Sequence, residues 1–81
     1  MLQAKVYVIL KQSVLDPQGK AIKNALDSLG FKELSDVRVG KYFEIKMNED
    51  IKENAIKRLK EMCEKLLANP VIENYKIEII E

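Results

Sequence analysis

The first ten residues constrain this chain more than any others. From Ala4 to Leu10, the side chains of Ala4, Val6, Val8 and Leu10 fall on one face of an extended segment, with Lys5, Tyr7, Ile9 and Lys11 on the other. β-Branched residues dominate, which predicts a strand. Tyr7 and Ile9 make the second face partly apolar, so this strand needs cover on both sides. A chain of 81 residues is poorly placed to supply both covers, because a domain this short buries only roughly 60% of its unfolded surface. The pattern therefore points to an oligomer or a partner.

The remaining pattern places two helices and two further extended segments. Asp16-Pro17 reads as a helix start, with Asp16 able to cap backbone N–H groups and Pro17 suited to the first helical position. Ile22, Ala25, Leu26 and Leu29 follow on one helical face, and Gly30 is the expected stop, giving a helix over Pro17–Leu29. Between Asp36 and Met47, residues Val37, Val39, Phe43, Ile45 and Met47 share one parity. That segment is either a hairpin turning near Gly40-Lys41 or one long strand bent at Gly40, and the preserved parity favours the long strand. A second helix opens at Asn48–Asp50, where Asp50 and Glu53 fit a capping box. Its expected buried stripe is Ala55, Leu59, Met62, Cys63, Leu66 and Leu67, with Glu53–Lys57 and Glu61–Lys65 pairs on the exposed side. Asn69-Pro70 ends it, and a last strand is expected over Val71–Ile80. The order β-α-β-(β)-α-β predicts a single α+β domain over residues 1–81. The simplest packing is a two-layer sandwich with a small, mostly antiparallel sheet and both helices on one face.

The composition excludes several function classes. Fourteen basic and thirteen acidic residues leave a net charge of +1, so nothing draws the chain strongly to nucleic acid or anionic lipid. The N-terminal run MLQAKVYVILK is too short to span a membrane and lacks the layout of a signal peptide, which makes the cytoplasm the expected location. There is no histidine, which removes the most common general base, nucleophile activator and metal ligand. Cys63, the single cysteine, has no evident partner to activate it and reads as a buried, inert thiol. Glu49-Asp50 sits in a charged helix end, where capping and solvation explain it. Gly19-Lys20 and Gly40-Lys41 lack the spacing of a phosphate-binding loop. The same element order occurs in RNA recognition motifs, where Tyr7 with Tyr42 or Phe43 would serve as stacking residues. VGKYFEI departs from the aromatic pattern of that module, and no basic patch supports it. A small-ligand-sensing module of ferredoxin-like architecture is the related alternative, although no effector pocket is marked. No catalytic, cofactor-binding or metal-binding residues are expected.

Three stretches carry a family resemblance. LDPQGKAIKNAL (Leu15 to Leu26), DVRVGKYFEI (Asp36 to Ile45) and CEKLLANPVIENYKIE (Cys63 to Glu78) together resemble PurS, the small subunit of bacterial and archaeal phosphoribosylformylglycinamidine (FGAM) synthase. The resemblance spans nearly the whole chain, in order and at the right spacing. It implies a non-catalytic subunit in de novo purine biosynthesis that forms a homodimer, or a larger tetramer. Such a subunit bridges a glutaminase and an ATP-dependent synthetase and assists ammonia transfer between them. ATP and Mg would then belong to the synthetase partner, with no cofactor on this chain. Gln12-Ser13 stands where Pro-Gly is commoner in the family, a departure that touches only the loop's shape.

The residue types in these motifs suggest partner contacts. Asp16, Pro17, Gln18 and Gly19 form a helix entrance where backbone donors and a fixed loop shape can meet a partner, or simply start the helix. Gln18 is the least needed for capping and the best contact candidate of the four. Arg38, Gly40, Lys41 and Tyr42 lie on or beside the bend of the middle strand, and Arg and Tyr are enriched at interface hot spots. A solvated strand edge is the alternative for them. Asn69 and Pro70 read either as a helix stop or as a partner-facing turn.

Overall fold

β1 (Leu2–Leu10) is the middle strand of a three-stranded antiparallel sheet, flanked by β2 (Gly40–Met47) and β3 (Glu73–Ile80). This computed structural model describes residues 1–80; Glu81, included in the expected domain, lies outside the described residues. The alternation in β1 works as read: Leu2, Ala4, Val6 and Val8 are buried, while Gln3, Tyr7 and Ile9 are exposed. Register extends this apolar row across the sheet, with Val6 opposite Phe43 and Ile77, and Ala4 opposite Ile45 and Ile79.

One helix closes that face. Ala55, Leu59 and Cys63, from α2 (Lys52–Met62) and the residue after it, are fully enclosed, and Leu59 and Cys63 form a core with Ala4, Val6 and Val8. α2 then continues through a widened π turn, Cys63–Leu67. Underwinding in this turn carries Leu67 and Ala68 toward the core and leaves Leu66 84% exposed. Leu66 therefore drops out of the stripe that an unbroken α-helix would give it. The expected capping box also fails. Ile51 is the N-cap and has no side-chain cap bond, Asp50 takes the N-terminal ammonium of Met1, and Glu49 accepts the Ile51 N–H.

α1 (Pro17–Ser28) begins as expected, with Asp16 as its cap and Pro17 in the first turn. It ends in a Schellman arrangement: the Phe31 N–H donates to the Leu26 carbonyl and the Gly30 N–H to that of Asp27. Gly30 has φ +103° there, a left-handed conformation that glycine adopts without strain. α1 contributes nothing to the core cluster; Ile22 is 39% and Leu29 73% exposed. The chain is accordingly drawn out, measuring 48 × 25 × 15 Å with a radius of gyration of 16.1 Å, against about 12 Å for a compact domain of this length.

Two boundaries differ from the sequence pattern, both because local hydrogen bonds outside the sheet take up backbone donors. The run 36–39 is neither hairpin nor strand. The Val37 N–H is held by the Asp36 carboxylate and the Val39 N–H by Asp16, so β2 starts only at Gly40. At the other end, β3 starts at Glu73 rather than Val71, since the Asn69 turn occupies the amides of Val71, Ile72 and Glu73. As a test of the core, Leu59→Ala should lower stability by about 2–5 kcal/mol in urea unfolding. Lys57→Ala on the exposed side of α2 should stay within about 0.5 kcal/mol.

Candidate partner-binding site

The segments Asp16–Gly19 and Val37–Gly40, distant in sequence, are tied together by one carboxylate. Asp16 is extended (φ −111°, ψ 92°) and only 6% exposed. Its Oδ1 accepts the Gly19 N–H at 2.9 Å and its Oδ2 accepts the Val39 N–H at 2.8 Å. These backbone donors, first Gly19 and then Val39, hold its pKa below the usual aspartate value, with the nearby Arg38 charge acting in the same direction. Gly19 is needed for close approach: a Cβ there would run into the Val37 carbonyl oxygen and the Asp16 carboxylate. Gly40 is hemmed in likewise by the Val8 carbonyl.

Arg38 secures the loop between β1 and α1. Its Nη2 donates to the carbonyls of Lys11 at 2.8 Å and Val14 at 3.0 Å, with Leu10 at 3.5 Å. A third segment joins at the start of β3. The Asn69 carbonyl accepts the Glu73 N–H at 2.7 Å, and Glu73 Oε1 accepts the Asn69 N–H at 2.6 Å. Asn69 Oδ1 accepts the Val71 N–H, and the Lys11 N–H donates to the Ile72 carbonyl. Lys41 Nζ lies 3.9 Å from Glu73 Oε2 across the end of β1.

All three sequence motifs thus converge at one end of the sheet. Between them lies a shallow cleft of about 160 Å³ walled by Asp16, Gln18, Gly40, Lys41 and Glu73. Asp16 and Gly19 are buried and Arg38 is half-buried, so these three are fastenings within the chain. Pro17, Gln18, Gly40, Lys41, Asn69 and Pro70 are exposed. Tyr42 is the exception. It lies on the opposite sheet face, tilted against Tyr7 with ring centroids 5.2 Å apart. Glu73 was missed from sequence; its spacing of four from Asn69, just after Pro70, is the signal that marks it.

Elsewhere the side chains suit structure better than chemistry. Cys63 is buried, and desolvation, helped by the Glu64 charge, pushes its thiol up, away from the reactive thiolate. Burial pushes the Tyr75 phenol up too, with Glu64 contributing as its hydrogen-bond acceptor at 3.3 Å. The sheet face carrying Tyr7 and Tyr42 intersperses Lys5, Lys46 and Lys76 with Glu44 and Glu78, so it forms no continuous basic stripe for a phosphate backbone. No helix among the described residues is long and apolar enough to cross a membrane.

The fold and this junction define a small α+β protein that presents shaped surfaces on a fixed backbone. The sequence profile of the PurS family, described as phosphoribosylformylglycinamidine (FGAM) synthase, matches residues 3–81, and the chain belongs to that family. It is 52% identical over 81 residues to the phosphoribosylformylglycinamidine synthase subunit PurS of Bacillus subtilis, covering 100% of this chain and 95% of that protein. The crystal structure of Methanocaldococcus jannaschii PurS, one of the subunits of formylglycinamide ribonucleotide amidotransferase in the purine biosynthetic pathway, superposes with a TM-score of 0.89. That pair shares 42% identity over 100% of this chain and 98% of the other. A chain in the structure of PurLQS from Thermotoga maritima gives a TM-score of 0.86 at 30% identity, covering 99% of both.

Two measurements check the junction. Gly19→Ala should cost about 1–3 kcal/mol through overlap with the Val37 backbone, read as a lowered unfolding midpoint. Because the Asp16 pKa is depressed in the fold, the stability it adds is complete above its unfolded value, about 3.9. That stability fades as pH falls through the lower folded value. Asp16→Asn should therefore be less stable at pH 7, and its stability should fall less steeply than that of the parent below about pH 4.

Proposed function

We propose that this chain is the small, non-catalytic subunit of FGAM synthase in purine biosynthesis, acting in the cytoplasm. It self-associates and bridges the glutaminase and the ATP-dependent synthetase, assisting the passage of ammonia between them. ATP and Mg are used by the synthetase, and this chain binds no cofactor of its own. The observation that carries the reading is the convergence of the three motifs on one sheet end. There Pro17, Gln18, Lys41, Asn69 and Pro70 are exposed on a backbone fastened by Asp16 and Arg38. Surfaces held in this way lose little conformational freedom on binding. The absence of histidine and the buried, protonated Cys63 support leaving the chemistry to the partners.

Reconstitution tests this. Glutamine-dependent FGAM formation by the two partner subunits should require this chain, which alone should turn over neither glutamine nor ATP. A Gln18→Ala, Lys41→Glu double variant should stay folded and bind the partners at least about tenfold more weakly, read by titrating it into the reconstituted assay. Full activity without the chain, or with the variant at parent concentrations, would contradict the assignment.

A further inference from the structure

The charged side chains around the entrance of α1 are not matched to one another. Between α1 and residues 36–38 lies a hollow of about 290 Å³, lined in part by Asp16, Lys20, Lys23, Asn24, Asp36 and Arg38. Both aspartates are turned to backbone work. Asp16 accepts the Gly19 and Val39 N–H groups, and Asp36 accepts the Val37 N–H. Lys23 pairs with Asp27 at 3.3 Å. Lys20 is exposed, one helical turn beyond Asp16, and makes no ion pair among the described residues.

Arg38 adds to the imbalance. Its fastening of the β1–α1 loop uses Nη2 alone, and the acceptors there are neutral carbonyls. Nε is sealed from water without an acceptor, Nη1 has none among the described residues, and the guanidinium makes no ion pair there either. A half-buried cation with a spare donor is best satisfied by an anionic oxygen. A carboxylate suits this hollow better than a phosphate, because Asp16 and Asp36 stand in the same wall and a second negative charge would double the repulsion from them.

We propose that this hollow receives an Asp or Glu side chain of a partner subunit, with Lys20 as its ion-pair partner and Arg38 Nη1 and the Asn24 amide as further donors. The inference rests on the bridging role in the proposed function and names the chemistry of one contact within it. A carboxylate free in solution gains little from an exposed lysine and a half-buried arginine. Carried on a subunit already docked at the neighbouring cleft, it is held at an effective concentration of roughly millimolar. The hollow and that cleft share Asp16 as a common wall.

Carbodiimide coupling, which joins an amine directly to a carboxylate, tests this in the complex reconstituted from full chains. Mass spectrometry should find Lys20 coupled to an Asp or Glu of the glutaminase or the synthetase. Lys20→Glu should bind that subunit at least about tenfold more weakly, whereas Lys20→Arg should bind like the parent and lose the cross-link. A glutamate near the start of a helix suits its dipole, so the Lys20→Glu chain should keep the parent's unfolding midpoint. An active complex in which Lys20 couples only within this chain or to a second copy, and Lys20→Glu binds like the parent, overturns the inference and leaves the bridging role standing. A parent chain that forms no complex overturns both. Should the isolated parent bind inorganic phosphate or acetate tightly, and Lys20→Glu lose that binding while assembling normally, the hollow belongs to a small anion and the inference fails.

Discussion

The carboxylate of Asp16 is the constraint on which the rest of this structure depends. With one oxygen it caps α1 at Gly19, and with the other it captures the Val39 amide. The first bond fixes where the helix begins. The second removes a donor from the sheet ladder, so β2 starts at Gly40 and the residues before it run alongside the helix entrance. Arg38, two residues from Gly40, draws the carbonyls of Lys11 and Val14 onto the same point. A buried carboxylate normally resists ionisation, but here backbone donors more than compensate. The fastening therefore holds wherever Asp16 is charged, which includes neutral pH.

This fastening explains how a chain with a thin core can offer a well-defined surface. The core proper is β1 with its two neighbours and α2, held by Val6, Val8, Leu59 and Cys63. The loops at the end of the sheet receive little of that burial and are set instead by hydrogen bonds. Asn69 and Glu73 do for the third motif what Asp16 and Arg38 do for the first two. A division follows within each motif: the residues that hold backbone groups shape the chain, and their exposed neighbours Gln18, Lys41 and Pro70 remain available for contact.

Much of this was legible in the sequence because it depends on period and on capping chemistry. The alternation in β1, the Asp16-Pro17 helix start, the Gly30 stop and the two-layer α+β class all follow from local rules. The features that were not legible depend on contacts between distant residues. Nothing near Val39 announces that its amide belongs to Asp16, so the segment from Asp36 read as a strand. The π turn has no sequence signature, so Leu66 was assigned to the buried stripe. Asp50 fitted a capping box, but the chain's own N-terminus lies beside it and takes the carboxylate. Arg38 was a contact candidate by residue type, and only the fold shows its guanidinium occupied by the carbonyls of the β1–α1 loop. The three motifs could be recognised separately, but their meeting at one sheet end is a product of the topology.

The account stands on that junction being the face through which this subunit meets the other chains of the synthase. Amide hydrogen exchange, compared between this chain alone and the reconstituted complex, tests it most directly. The account predicts added protection concentrated in residues 18–20, 40–41 and 69–73 once the glutaminase and synthetase are bound, with Asp16-held amides already slow beforehand. Protection confined to the far ends of the strands, with the junction exchanging as it does in isolation, would contradict it.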